Sequence, residues 1–352
     1  MAGTGQEYSL YWRKGLYRKE NMKAIIIGDR KRYEIFMPSK GLPEGFMDEI
    51  EKVYFPLGTK DEEIIGSGEG AEFLLSDAIA LVSGYLIDHL PDLKLIHSEG
   101  VAYNGIDIEA ASKRGITVCN NRGINATAVA EQTIMLMLGL LRSIKEGDEA
   151  VRGGHQIDMK HRKMREGILE LADCQVGLIG FGDIARATAK MLIPFGCSVV
   201  YCARSRKEEG LEREYQASYM EMDELLATSD IVSLHVPVND GTRGMADKGF
   251  FCKMKPSAYL INTSRGEIVD NEALLEALRE HEIAGAGLDT VAPEPVPADH
   301  ILINAPKEAA EKILFSPHIG GITTSTFRRG HMNMWKAVWD VSEGRKPKNV
   351  IV

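Results

Sequence analysis

The sequence predicts an α/β protein of two doubly wound parallel-sheet domains, the larger a Rossmann dinucleotide-binding domain, and three observations carry that expectation. From Met22 onward, aliphatic strand-like runs alternate with helix-like segments, the rhythm of βαβ units. Residues 175–186, QVGLIGFGDIAR, pass from an aliphatic run into a turn with Gly180 and Gly182 and with Ala185 at the third small position. There Gly180 supplies the tight turn, Gly182 lets backbone approach a pyrophosphate, and Ala185 lets the helix sit close on the strand, so that orphan N–H groups and the helix dipole face an anion. Finally, 352 residues exceed what one core usually organises.

Taken in order, residues 1–21 are polar with a basic bias and read as an N-terminal extension outside the fold. They contain no apolar stretch of the kind a signal peptide requires. A first domain then opens with a strand at Ala24–Gly28, a helix at Pro43–Glu51 and strands at Lys52–Phe55, Glu72–Leu75 and Leu93–His97. Gly100 and Gly105 follow in a loop whose backbone N–H groups suit a carboxylate, although the same glycines equally suit a purely structural turn. Ile108–Arg114 forms a short helix ended by Gly115. Asn125 or Thr127 caps a long helix reaching about Ile144, and its nearly encircling apolar residues predict burial on two sides, between domains or in a dimer contact. Residues 145–170 read as a solvated, charged connecting face.

The second unit has strands at Gln175–Ile179, Ser198–Cys202, Asp230–His235, Ala258–Asn262, Ala284–Leu288 and Lys312–Phe315, with helices at Ala185–Phe195, Met222–Leu226, Asp247–Lys253 and Asn271–Glu280. A last helix at Ser325–Val341 returns to the first domain. The expected division is 22–124 plus 319–352 for a substrate domain and 125–318 for the Rossmann domain.

With 44% hydrophobic and 26% charged residues, and a net charge of −9, this is an ordinary globular composition with no footprint for nucleic acid or an anionic membrane. The most apolar stretch, Ile134–Leu141, is too short to span a bilayer, which takes roughly 20 residues. The five cysteines lack C-x-x-C pairs and mostly sit in apolar runs, so they read as buried free thiols in a reducing cytoplasm. No His/Cys/carboxylate cluster has metal-ligand spacing.

Ligands of open parallel α/β sheets lie beyond the carboxyl ends of the strands. In the second unit those positions hold His235, Arg265, Asp289, Glu294 and His318. Beside a dinucleotide turn, three of them suit one chemistry. An imidazolium at a ketone oxygen donates a proton as hydride arrives, a carboxylate holds the imidazolium, and an Arg fork recognises the carboxylate of a 2-oxo acid.

Six blocks in order, LKLIHSEGVAYNGIDIEAASKRGI, VGLIGFGDIAR, SDIVSLHVP, INTSRGEIVDNEALLEAL, AGAGLDTVAPEP and SPHIGG, make the chain resemble the D-isomer-specific 2-hydroxyacid dehydrogenase family over most of residues 80–322. The resemblance implies a homodimeric, NAD- or NADP-dependent oxidoreductase of small 2-oxo and 2-hydroxy acids with its catalytic cleft between domains. It implies Arg265 as substrate anchor, His318 as acid/base with Glu294 as partner, and Gly100, Val101 and Ala102 as the substrate loop. Cofactor contacts fall on Thr133, Gly180, Phe181, Gly182, Asp183, Ile184, Ala203, Arg204, Ser205, Arg206, His235, Val236, Pro237, Thr242, Thr263, Ser264, Arg265, Asp289, His318 and Gly320, with Asp289 near the nicotinamide carboxamide.

Three departures refine this. NAD-preferring relatives usually carry an acid at the end of the second Rossmann strand, whereas this chain reads Ala203-Arg204-Ser205-Arg206; two arginines for a 2′-phosphate make NADP the expected preference. Ser98-Glu99 replaces a common Arg-Ala, which disfavours phosphorylated substrates; Glu99 either accepts hydrogen bonds from a polyhydroxylated acid or points to solvent. The absence of a regulatory domain after residue 352 also weighs against an allosteric phosphoglycerate enzyme. Residues between Glu294 and His318 are inserted relative to typical members, and His300 there reads as a loop residue. Two alternatives share the fold: formate dehydrogenase, where Gln is expected in place of Glu294, and a nucleotide-sensing corepressor.

Overall fold

The computed structural model describes residues 22–352, so the extension expected at 1–21 lies outside the described residues. Five aliphatic runs, β1 (Met22–Ile27), β2 (Ile50–Phe55), β3 (Phe73–Ser76), β4 (Leu95–Ser98) and β5 (Thr117–Cys119), pair in parallel in the order β2-β1-β3-β4-β5. A second sheet takes β6 (Gln175–Ile179), β7 (Ser198–Cys202), β8 (Ala217–Tyr219), β9 (Ile231–Leu234), β10 (Tyr259–Asn262), β11 (Gly285–Leu288) and β12 (Ile313–Phe315). Its order is β12-β11-β10-β9-β6-β7-β8, all parallel. Both are doubly wound, and the larger reverses its winding between β6 and β9, the switch point at which such sheets bind ligands. The strands β3, β4, β9 and β11 are buried throughout, as parallel strands covered by helices on both faces must be.

The chain forms two compact units, residues 22–124 with 324–352 and residues 125–323. The return crossing falls at Thr324, past the expected 319, because Asp289 of the larger unit holds the amides of Ile319 and Gly320 at 3.1 and 2.9 Å.

Several local expectations need correction. The expected helix at Pro43–Glu51 is only a 3-10 turn, Phe46–Glu49, entered through Gly45 at φ +79° and running straight into β2. The crossover helix is Arg30–Ile35, whose first turn is capped by the Asp29 carboxylate accepting from Arg32 N at 3.1 Å. The long helix ends at Leu141, because Ser143 turns left-handed at φ 49°. It packs on helix Asp183–Leu192, β10 and β11 of its own unit, which accounts for its apolar girth. The supposed connecting face contains two helices, Ile144–Arg152 and Gln156–Glu166, neither with a buried residue. Among the cysteines, all free, Cys119 and Cys174 are buried whereas Cys252 is exposed. His300 pins its loop, with Nε2 3.2 Å from both Asn271 Nδ2 and Ala292 O. Among the described residues no single helix is long and apolar enough to cross a membrane.

Two histidines make folding pH-dependent. Burial pushes His97 and His235 down to about 4, against an unfolded value of about 6.5. Both are neutral when folded, so between those values the unfolded chain binds more protons and stability falls as pH drops. At pH 5 the expected loss is about 2 kcal/mol for each. Urea midpoints at pH 7 and pH 5 check this, and equal midpoints would contradict it.

Candidate active site

The Gly-rich turn closes between β6 and β9. Gly180 sits at φ +97°, and a Cβ there would lie 2.3 Å from His235 O, so only glycine lets the two strand ends approach. Gly182 caps helix Asp183–Leu192 without any side-chain bond, and a Cβ on it would meet nothing within 4 Å. Thus the start of this helix is open above the backbone while Ala185 is fully buried beneath it. Phe181 directs its ring into the core, stacked on Tyr201 at 4.1 Å. Across the switch point, His235 Nε2 lies 3.0 Å from Ser233 Oγ, and its buried Nδ1 has no hydrogen-bond partner. Thr133 Oγ1 lies 2.9 Å from Thr263 Oγ1, and Thr242 Oγ1 donates to Pro237 O at 2.6 Å, bracing the loop after β9.

At the end of β7, Arg206 is taken by Glu212, with Nε and Nη2 at 3.0 and 2.9 Å from its oxygens. Both arginines expected there are exposed, and Arg204 is the one without a charged partner among the described residues.

Arg265 follows β10 in a turn set by its neighbours: Ser264 N donates to Asn262 Oδ1 at 3.0 Å, Asn262 Nδ2 to Arg265 O at 2.9 Å, and Ser264 Oγ to Leu234 O at 2.6 Å. The Arg265 guanidinium is exposed, with Nη1 donating to Ser264 O at 2.7 Å. Gly266 then packs against the chain leading to Glu294, for a Cβ there would fall 2.1 Å from Ala292 N. Glu294 Oε1 lies 2.6 Å from His318 Nδ1, in a pair about two-fifths exposed on both sides. His318 itself is left-handed at φ 55°, a conformation that costs a non-glycine residue about 1 kcal/mol or more.

Asp289 holds that conformation. Its Oδ1 accepts from Ser316 Oγ at 2.6 Å and Ile319 N at 3.1 Å, and its Oδ2 from Gly320 N at 2.9 Å, so it grips the backbone on either side of His318. Gln132 completes the grip, donating to Ser316 Oγ at 2.6 Å. Gln132 and Ser316 are absent from the sequence-derived site; the polar run Glu131-Gln132-Thr133 inside a largely apolar helix was the available signal.

In the smaller unit Gly100, Val101 and Ala102 leave the end of β4. Both expectations for Glu99 fail: it is 8% exposed and pairs with Arg32 and His331 inside its own unit. Its charge is therefore compensated, which weakens the electrostatic case against phosphorylated substrates.

Residues 134–320 match the family described as D-isomer specific 2-hydroxyacid dehydrogenase, NAD binding domain. The chain is 36% identical over 294 residues to a glyoxylate reductase of Thermococcus litoralis, covering 81% of this chain and 86% of that one. It belongs to the D-isomer-specific 2-hydroxyacid dehydrogenase family. A glyoxylate reductase of Aeropyrum pernix is 32% identical over 331 residues, 91% of this chain and 96% of its own length. The crystal structure of the TT0316 protein from Thermus thermophilus superposes with a TM-score of 0.78 at 31% identity, over 94% of this chain and all of that one.

A nicotinamide dinucleotide, the cofactor of this family's NAD-binding domain, fits the residues present. The open Gly182 cap accommodates phosphate, and the unpartnered Nδ1 of His235 lies on the facing strand end. Among the described residues no group of three or more His, Cys, Asp or Glu side chains could hold a metal ion.

Proposed function

We propose that this chain reversibly reduces a small 2-oxo acid to the D-2-hydroxy acid with NAD(P)H, and the observation that carries the assignment is the 2.6 Å His318–Glu294 pair. When bound, the cofactor supplies hydride from C4 of its nicotinamide to C2 of the oxo acid. Arg265 holds the substrate carboxylate, for which its Nε and Nη2 donors have no other acceptor among the described residues. The Gly100–Ala102 amides are assigned to substrate binding as well. With Nδ1 bonded to Glu294, the imidazolium of His318 presents Nε2–H to the carbonyl oxygen and donates its proton as negative charge develops there. Glu294 holds the ring in the orientation that presents Nε2. Glu294 also counts against formate oxidation, which moves no proton and for which Gln is expected, and the enzymic relatives do not favour a nucleotide-sensing role. The stereochemical test is reduction of phenylpyruvate: D-phenyllactate is expected, and the L isomer would contradict the proposal.

For the cofactor, Arg204 is the residue proposed to meet a 2′-phosphate, making NADPH the preferred donor. Arg204→Ala is expected to lower kcat/KM for NADPH by about tenfold or more, the worth of a charge-assisted hydrogen bond, while sparing NADH. Wild-type efficiency with NADH equal to that with NADPH would contradict this.

The second copy in the proposed homodimer has a surface to cover. In helices Ile144–Arg152 and Gln156–Glu166, Ile144, Val151 and Ile157 are each 58% exposed and Met164 is 73% exposed, apolar side chains that a second copy would cover. Light scattering should give a dimer for the parent and a monomer for the double variant Ile157→Glu/Met164→Glu; a monomeric parent would refute it. The free cysteines suit a reducing cytoplasm.

A further inference from the structure

The carboxyl ends of β1, β3 and β4, neighbours in the smaller sheet, gather four ionisable side chains. Arg32 donates through Nε to Glu99 Oε1 at 3.0 Å, and through Nη2 to Glu99 Oε2 at 2.6 Å and Asp77 Oδ2 at 2.5 Å. His331 Nε2, on a side chain with no exposed surface, lies 2.7 Å from Glu99 Oε1. A carboxylate this far out of water is tolerable only when donors fill its lone pairs. Arg32 and His331 do so from sequence separations of 67 and 232 residues.

Glu99 is also where the Gly100–Ala102 turn leaves the sheet. Its N donates to Ser76 O at 2.7 Å, and its O accepts from Asn121 Nδ2 at 2.7 Å. The following carbonyls are tied back in the same way: Gly100 O by Asn121 N at 2.8 Å, Val101 O by Asn120 Nδ2 at 2.7 Å, and Ala102 O by Ser98 Oγ at 2.6 Å. A trans peptide sets each N–H opposite the preceding carbonyl. With the carbonyls of Glu99, Gly100 and Val101 held inward, the amides of Gly100, Val101 and Ala102 face away from those anchors, and none has an acceptor among the described residues. Successive free amides of this kind form an anion-binding concavity. To these backbone anchors the side chain of Glu99 adds a further one, through Arg32 and His331, at the residue from which the turn leaves the sheet.

We propose that Arg32, Glu99 and His331 are positioning residues that set the orientation of the Gly100–Ala102 amides and thereby the affinity for the substrate carboxylate, without contributing to hydride or proton transfer. This rests on the assignment of Gly100–Ala102 to substrate binding. Charge matters because a glutamine at 99 would turn an N–H₂ donor toward the donors of Arg32 or His331, breaking one side of the clamp at unchanged size.

The test is Glu99→Gln in the full chain, read in two ways. In steady-state kinetics KM for glyoxylate should rise about tenfold or more, with kcat within about threefold and KM for the cofactor unchanged. Hydrogen–deuterium exchange of the 98–105 backbone, measured without substrate, should quicken. Combining Arg32→Gln with Glu99→Gln should add little to either single change, since both break one clamp. A KM within about twofold of the parent together with unchanged exchange would overturn the proposal. Should the parent turn over no 2-oxo acid, the substrate assignment fails, and exchange alone decides on the clamp: quicker supports it, unchanged overturns it. If Glu99→Gln does not fold, Arg32→Gln, at a side chain 27% exposed, is read by the same two measurements with the same expected and contrary results.

Discussion

Replacing His318 with asparagine is expected to lower kcat by about 10²–10⁴-fold, the usual contribution of a positioned general acid, while cofactor affinity stays within about twofold. Asparagine is the informative substitution because residue 318 is left-handed at φ 55°, a conformation asparagine tolerates better than alanine. Loss of rate then reports loss of the imidazole and not collapse of the turn that Asp289 grips through Ile319 and Gly320. Glu294→Gln should fall between parent and His318→Asn, since it keeps a hydrogen bond to Nδ1 while exchanging a charge-assisted bond for a weaker neutral one. Steady-state rates beside a fluorescence titration of the cofactor check both, and an unchanged kcat in His318→Asn would remove this residue from the proton transfer.

Arg265→Ala should act chiefly on the substrate. Removing one partner of a hydrogen-bonded charge pair costs about 2–5 kcal/mol, so kcat/KM for the oxo acid should fall by roughly 30-fold to several thousand-fold. Arg265→Lys should recover only part of this, because an ammonium cannot reproduce the two parallel bonds of a guanidinium. The fold should survive either change, since among the described residues the exposed guanidinium donates only to its neighbour Ser264 O. Thermal melting with oxo-acid and cofactor kinetics separates the possibilities: a KM for the cofactor that rises as far as KM for the oxo acid would contradict a substrate-anchoring role.

Elements fixed by local period were legible in the sequence. β6 and β7 fall where the aliphatic runs and the intervening Gly-rich helix start place them, because βαβ spacing leaves little freedom. Pairing of His318 with Glu294 was legible too, since both follow strands of the same sheet. Elements governed by backbone sign were not: the break at Ser143 and the turn at Gly45 depend on positive φ, which composition does not reveal. The helices at Ile144–Arg152 and Gln156–Glu166 were masked by their charges, although Ile144 with Val151 and Ile157 with Met164 repeat at the seven-residue interval of a helical face. Glu99 was misread for a deeper reason. Its partners lie far off along the chain, and only the completed sheet brings Arg32, Asp77 and His331 to one edge. Asp289 shows the same limit, for its position past a strand was visible whereas its grip on Ser316, Ile319 and Gly320 required the fold.

The most direct test is an initial-rate assay of the purified chain with NADPH and NADH against glyoxylate, hydroxypyruvate, phenylpyruvate and branched-chain 2-oxo acids. Oxidation of at least one cofactor at a rate that saturates with one or more of these acids, and that falls in His318→Asn, is the expected result. Cofactor binding without turnover of any of them would contradict catalysis and leave a nucleotide-sensing protein on the same fold.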